Sequence, residues 1–272
     1  NKRFFNKTEV ESLLGKTTVW TLNEQQTSLP ALVIFPGFRT SPLFWDLCGG
    51  LKVFEKDYRL FLVETNGQPN SSEGYSPKIR SNDYSVWAND LLNKLNINIC
   101  FIAGSSFGGL VCAKLCITNP EKVNAAFLLN PGCLQWFSLK WKNVFYNLLP
   151  IINPSEKNVL KFLDNCVFHK PQHYLNDDEE KLMLEYQLIA LKQYRDRTQK
   201  PYPMNSALTN IKTPVHLFLG KNDVLFPYTS SKQNAEKYIT NLKLYVFENT
   251  GHGIETKLEV IEKIKSIISE IN

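Results

Sequence analysis

The chain has 272 residues, of which 43% are hydrophobic and 12% aromatic, and a formal net charge of +5. These proportions are typical of a globular protein, and the length is one that α/β folds reach as a single domain. The basic residues are scattered, so no nucleic-acid partner is indicated. No apolar stretch reaches the roughly 18 residues that cross a bilayer, and no basic-then-apolar leader opens the chain. Because the sequence begins at Asn1, removal of a leader stays open.

Six cysteines could form three disulfides, but no C-x-x-C pair is present and four cysteines lie in apolar strand or helix contexts. This pattern is more typical of reduced thiols than of a secreted disulfide scaffold. The sequence therefore predicts free cysteines and a cytoplasmic protein. The six are Cys48, Cys100, Cys112, Cys116, Cys133 and Cys166.

Apolar, strand-like runs alternate with helical patterns along most of the chain. Strands are predicted at residues 17–22, 31–35, 59–64, 98–102, 123–129, 215–220 and 243–247. Helices are predicted at residues 84–95, with Asp83 as the cap, and at 109–119, 229–239 and 258–271, with an interrupted helix at 43–57. This alternation predicts an α/β fold with a mainly parallel sheet and helices on both faces.

The alternation lapses between about residues 131 and 209, where helix-like segments rich in aromatics are broken by prolines. We expect residues 132–209 to form a helical lid or cap insertion within a single domain over 1–272. Parallel sheets of this kind keep their ligand sites at the carboxyl ends of the strands, so the insertion is expected above that edge.

The segment Gly104-Ser105-Ser106-Phe107-Gly108 matches the pattern G-x-S-x-G. The pattern alone is common, but here it lies between a predicted buried strand and a predicted helix. In that context small residues allow a sharp turn that exposes one hydroxyl group. Ser106 is therefore the candidate nucleophile.

A serine nucleophile needs a histidine base and a carboxylate that orients the histidine. His252 lies in a glycine-flanked loop after the last predicted strand, and Asp223 follows the strand before it. His216 lies within a predicted strand and is expected in the core. His169 and His173 have the i, i+4 spacing of a metal pair, but the proline between them interrupts the helix, so no metal site is predicted.

An oxyanion formed at the site needs two N–H donors. The backbone N–H of Phe107 directly follows the candidate nucleophile, and that of Phe38 lies in the loop after the strand at residues 31–35. Gly37 allows the backbone of that loop to approach the site.

The stretches "ALVIFPGF", "GSSFGG", "LGKNDVLFP" and "TGHGI" occur in the order found in α/β-hydrolases, which this chain resembles over nearly its whole length. It departs from the common pattern at Pro36 and Ser105, where many members have histidine. The central serine distinguishes it from the dehalogenase and epoxide-hydrolase branches, which have aspartate there. The resemblance implies attack by Ser106 on a carbonyl, with His252 as base and then acid and Asp223 orienting the imidazole.

The substrate is less well defined by the sequence. The aromatic insertion suggests an apolar acyl or alcohol group, with Trp136 and Trp141 as candidate contacts beside Gly37 and Arg39. A small or medium carboxylic ester is the first hypothesis, and no cofactor is expected. A carbon–carbon bond hydrolase or lyase and a ligand-binding protein with a nearly silent triad are the alternatives. A monomer or weak homodimer is expected.

Overall fold

A computed structural model describes residues 5–194 and 199–271; the ends of the predicted domain and residues 195–198 of the insertion lie outside that description. The eight strands are β1 (Asn6–Ser12), β2 (Gly15–Leu22), β3 (Ala31–Phe35), β4 (Arg59–Val63), β5 (Cys100–Ser105), β6 (Val123–Leu129), β7 (Val215–Gly220) and β8 (Leu242–Phe247). The α-helices are α1 (Asp83–Lys94), α2 (Phe107–Thr118), α3 (Trp141–Ile152), α4 (Glu156–Phe162), α5 (Asp177–Gln193), α6 (Tyr228–Tyr238) and α7 (Leu258–Ile271).

The eight strands form one sheet in the order β1-β2-β4-β3-β5-β6-β7-β8. Strands β3 to β8 are parallel, whereas β1 and β2 form an antiparallel hairpin that extends the sheet beyond β4. The predicted, mainly parallel sheet is therefore confirmed. The sequence analysis did not predict β1, whose polar side chains face solvent at the edge of the sheet.

Helices cover both faces of the sheet. Every residue of β3 is therefore buried, whichever face its side chain lies on. Val33 and Phe35 pack on the side that carries α1, α2 and α6. Leu32 and Ile34 pack on the opposite side, against α7 and a 3₁₀ segment at Pro42–Phe54. This arrangement confirms the predicted α/β class and fixes the strand ends that carry the site.

Two local predictions were wrong in detail. Asp83 lies in the first turn of α1 rather than capping it, and the cap position is occupied by Asn82. The interrupted helix at 43–57 is a 3₁₀ segment, Pro42–Phe54, that loses helical geometry at Leu47, Cys48 and Gly49. Positive φ angles at the last two residues, 59° and 69°, account for the break.

Three helices, α3 to α5, occupy the chain between β6 and β7, in the region where the insertion was predicted. Helix α4, the turn that follows it and α5 bury a small apolar cluster that includes Val159, Leu163 and Met183 against Phe44 and Leu47 of the 3₁₀ segment. The insertion therefore packs on the loop that follows the carboxyl end of β3.

All six cysteines are free, and all except Cys48 are buried. Burial raises the pKa of each buried thiol, for example to about 12 at Cys166. Across residues 5–194 and 199–271, no helix combines the length and apolarity that crossing a membrane requires.

Candidate active site

Ser106 lies at the turn between β5 and α2 with φ 48° and ψ −108°. This conformation is rarely populated by residues with a side chain, and it leaves Ser106 partly exposed between buried neighbours. The glycines on either side are required by close backbone contacts. A Cβ on Gly104 would collide with the backbone of Gly108, and a Cβ on Gly108 would collide with the carbonyl oxygen of Phe35. The strained turn and the packed glycines are the local geometry that a nucleophilic serine needs.

The turn is held against the end of β6 by its own backbone. The N–H of Ser106 donates to the carbonyl oxygen of Leu129 at 2.9 Å, and the N–H of Gly132 donates to the carbonyl oxygen of Ser106 at 2.9 Å. Gly37 lies on the other side, where a Cβ would be 3.5 Å from the Cβ of Ser106. Ser106 is thus fixed between the loops that follow β3 and β6.

Asp223 and His252 are brought together after the ends of β7 and β8. The Oδ2 atom of Asp223 lies 2.8 Å from Nδ1 of His252, and the Asp223 side chain is fully buried. Its other oxygen, Oδ1, accepts hydrogen bonds from the N–H groups of Leu225 and Phe226 at 2.8 and 3.0 Å. Both carboxylate oxygens therefore have fixed partners, and Nδ1–H of the imidazole is the donor to Oδ2.

Two opposing effects act on the pKa of His252. Burial lowers it, but the charge of Asp223, the hydrogen bond to Asp223 and the charge of Glu255 outweigh burial, and the pKa of His252 is raised above its usual value. A raised pKa means that the imidazole holds a proton more readily than free histidine. That property suits a residue that accepts a proton and later returns it.

Asn130, directly after β6, connects the end of β7, which precedes Asp223, to the loop that carries His252. Its Nδ2 donates to the carbonyl oxygens of Gly251 and His252 at 3.1 and 3.0 Å, and its Oδ1 accepts from the N–H of Gly220 at 2.9 Å. The sequence analysis did not assign this residue a role. Its position directly after a predicted buried strand was the available signal.

His173, from the insertion, also contacts the loop that carries His252. The sequence analysis did not assign it this role. Its Nδ1 accepts from the N–H of Gly251 at 3.1 Å, and its Nε2 lies 3.1 Å from Oγ1 of Thr256, which donates to the carbonyl oxygen of Gly253. This arrangement requires a neutral ring with its proton on Nε2. Burial, followed by the charges of Lys257 and His169, lowers the pKa of His173 to about 3.

Glu255 is a buried carboxyl group three residues after His252 in the sequence. It is 9% exposed, its Oε2 has no hydrogen-bond partner in the described part of the chain, and the charge of His252 acts on it. Burial raises the pKa of Glu255, while a backbone hydrogen bond and the charge of His252 lower it in part. Glu255 therefore supplies a second acid close to the imidazole.

The predicted oxyanion donors lie beside Ser106. The ring centres of Phe38, in the loop after β3, and Phe107, at the start of α2, are 6.4 Å apart. Among the residues that the structure describes, no oxygen accepts a hydrogen bond from the N–H of Phe38 or of Phe107. The loop of Phe38 is fixed at the next residue, Arg39, whose N–H donates to Gln68 and whose carbonyl oxygen accepts from Gln187.

The other residues that the sequence analysis singled out differ in their exposure to solvent. Arg39 has its guanidinium 5.0 Å from the centre of the Phe38 ring, at the edge of the site. Trp136 and Trp141 are 60% and 72% exposed. His216 is in the core as predicted, and burial lowers its pKa to about 4.

His169 and His173 exchange two backbone hydrogen bonds across a tight turn, and both ring nitrogens of His173 already have hydrogen-bond partners. In the parts of the chain that can be described, no group of three or more His, Cys, Asp and Glu side chains is arranged to hold a metal ion.

The fold, the strained serine turn and the hydrogen-bonded Asp–His pair at neighbouring strand ends define an α/β-hydrolase. The chain belongs to the Hydrolase_4 family, described as serine aminopeptidase, S33, whose model matches residues 50–259. It is a hydrolase of the esterase-like branch of the superfamily, as the resemblance in the sequence predicted.

Individual relatives are distant. A Bacillus subtilis protein described as "Uncharacterized carboxylesterase nap" is 24% identical over 234 residues, 82% of this chain and 73% of the relative. A 2-hydroxymuconate semialdehyde hydrolase from a Pseudomonas species is 24% identical over 214 residues, 72% of each chain. The solved structure of naproxen esterase from Bacillus subtilis matches with a TM-score of 0.81 at 21% identity, covering 97% of this chain and 91% of that one.

Proposed function

We propose that the enzyme hydrolyses a carboxylic ester with a small or medium acyl group through an acyl-enzyme on Ser106. The observation that carries the proposal is the hydrogen bond between buried Asp223 and His252, at 2.8 Å, at the same end of the sheet as the strained serine turn. Such a pair supplies a base that a serine hydroxyl needs before it can attack a carbonyl.

In the proposed reaction, Nε2 of His252 takes the proton of the Ser106 hydroxyl as the oxygen attacks the ester carbonyl. The N–H groups of Phe38 and Phe107 stabilise the oxyanion, aided by the positive end of α2. The ester C–O bond then breaks, and the leaving alcohol takes the proton from His252. Water, activated by the same imidazole, releases the acid and restores Ser106.

The acyl or alcohol group would contact the β3 loop through Gly37, with Arg39 at its edge. Gly37 is packed against Ser106, which supports that assignment. Trp136 and Trp141 stay predicted substrate contacts, and both are highly exposed.

Labelling with a fluorophosphonate, located by mass spectrometry, tests the nucleophile. We expect modification of Ser106, loss of both label and p-nitrophenyl ester hydrolysis in Ser106→Ala, and retention of the label in Ser105→Ala. Ser105 is a matched control because it is the adjacent serine, is 2% exposed and lies in β5. Labelling of another residue, or undiminished turnover in Ser106→Ala, would overturn the assignment.

A carbon–carbon bond hydrolase on the same residues is the second candidate, favoured by the similarity to the 2-hydroxymuconate semialdehyde hydrolase. Comparing kcat/KM for a β-diketone-type substrate and for short p-nitrophenyl esters separates the two. We expect the esters to be the better substrates. Absence of turnover on both classes, in a protein that still binds them, would instead identify a binding protein.

A further inference from the structure

Exposed apolar side chains are concentrated in one short segment of the insertion. Of the eighteen large hydrophobic residues that are exposed in the described part of the chain, seven lie between residues 136 and 152. We call this segment, residues 136–152, the apolar ridge. Its exposed members are Trp136, Leu139, Trp141, Phe145, Leu148, Ile151 and Ile152. Scattered exposed apolar residues are normal on any protein, but such a cluster marks an interaction surface.

The ridge follows one side of α3. Trp141, Phe145, Leu148 and Ile152 have the i, i+4, i+7, i+11 spacing that aligns side chains along one helical face. All four are exposed, from 44% at Leu148 to 78% at Ile152. Asn143 and Pro150 are buried instead; Asn143 donates to the carbonyl oxygen of Ser138 and accepts a hydrogen bond from Asn147. The helix is therefore anchored to the protein by one side and presents the other, over about 18 Å, to its surroundings.

Lysines outnumber acidic residues around the ridge. No Asp or Glu occurs between residues 123 and 155, whereas exposed Lys140 and Lys142 flank Trp141. On α4, exposed Glu156 is followed by exposed Lys157 and Lys161. The acidic first turn of α5 belongs to a helix that shares an apolar cluster with α4.

This combination of charge and shape selects among occupants. Two copies of the chain meeting through their ridges would bring together two surfaces on which lysines outnumber acidic residues, which opposes association. An exposed row of Trp, Phe, Leu and Ile with lysines at its start matches the helices that lie in the headgroup region of anionic membranes. Tryptophan is also the side chain most typical of that region.

We propose that the apolar ridge docks the enzyme on the surface of a membrane that contains anionic phospholipids. The ridge then lies at the level of the headgroups and the adjoining acyl chains, with Lys140 and Lys142 against the lipid phosphates. The insertion faces the bilayer, and the protein binds peripherally. This docking does not depend on the ester chemistry proposed above.

Flotation of the full chain with vesicles tests the proposal. We expect binding to vesicles of phosphatidylcholine with about 30% phosphatidylglycerol, weaker binding to phosphatidylcholine alone, and release by high salt, since the lysine contribution is screened. Leu148→Ser combined with Ile152→Ser is expected to weaken binding about tenfold or more. Lys140→Gln combined with Lys142→Gln is expected to remove most of the preference for anionic vesicles, at about fivefold per lysine.

Leu182→Ser combined with Ile189→Ser is the matched control. Both residues are exposed, at 53% and 56%, on α5 of the same insertion but outside the ridge. We expect this variant to bind vesicles like the original protein, and thermal unfolding of every variant verifies the fold. Failure of the original protein to float with anionic vesicles, or equal losses in the control and ridge variants, would refute lipid docking. Sedimentation that shows a dimer abolished by Leu148→Ser and Ile152→Ser would identify a second copy as the occupant instead.

Discussion

His173→Phe separates the two roles that the structure gives to His173, since phenylalanine keeps a buried ring beside Phe168 but forms no hydrogen bonds. At pH 8 the variant leaves the buried N–H of Gly251 without its acceptor, which costs about 1–3 kcal/mol. It also removes the hydrogen bond to Thr256, worth about 1 kcal/mol. We therefore expect the free energy of unfolding at pH 8 to fall by roughly 2–4 kcal/mol.

At lower pH the difference is expected to shrink. The pKa of His173 is lowered to about 3 in the folded protein and is near 6.5 in the unfolded chain. Its contribution to stability is therefore complete above pH 6.5 and is lost as the pH falls towards 3, because only the unfolded chain takes up the proton. By pH 5 the linkage relation gives a loss of about 2 kcal/mol in the original protein and none from this position in His173→Phe.

Urea unfolding of both proteins at pH 8 and pH 5 measures the effect. We expect the stability difference between them to be about 2 kcal/mol smaller at pH 5. His216, the other buried histidine with a lowered pKa, is present in both proteins and cancels in the comparison. A difference that stays constant, or that grows on acidification, would show that burial does not keep His173 neutral in the folded protein.

Two further predictions concern the acids around the base. Asp223→Asn should lower kcat on an ester by about 10⁴-fold with a small change in KM, because an amide does not hold the His252 tautomer with its proton on Nδ1. Steady-state kinetics measure this effect. A loss of kcat under tenfold would remove Asp223 from the proposed triad. Glu255→Gln removes a negative charge that raises the pKa of His252. The acid limb of the kcat/KM profile, where the base becomes protonated, should move to lower pH, whereas Glu259→Gln, which changes an exposed charge on α7, should leave it in place. An unmoved limb in Glu255→Gln would show that this carboxyl group does not act on the imidazole.

The parts of the fold that the sequence predicted well are those specified by local pattern. The run at residues 31–35 is apolar throughout because β3 is covered on both faces, and that continuity identifies a central parallel strand. The serine turn is also local, since its glycines and its flanking strand and helix are adjacent in sequence. By contrast, β1 is polar and solvent-facing, and it exists because β2 offers hydrogen-bond partners across a tight turn. Its pattern alone did not indicate a strand.

The parts of the site that were missed depend on contacts between distant residues. The side-chain amide of Asn130 donates to the carbonyl oxygens of Gly251 and His252, which lie 121 and 122 positions later in the sequence. His173 contacts Gly251, which lies 78 positions later. Each has an ordinary local sequence: an asparagine before a proline, and a histidine near another histidine. Their roles arise only when the fold brings the ends of β6, β7 and β8 under the insertion.

These contacts give the insertion a role in positioning the base. His252 lies between two glycines, a sequence that by itself allows much backbone freedom. The N–H of Gly253 donates to the carbonyl oxygen of Val167, and the N–H of Gly251 donates to His173, so two of the bonds that restrict this loop come from the insertion. Gly251 is also required for this packing, because a Cβ there would lie 2.5 Å from the carbonyl oxygen of Val167. Val167 and His173 of the insertion therefore restrict the backbone on either side of His252.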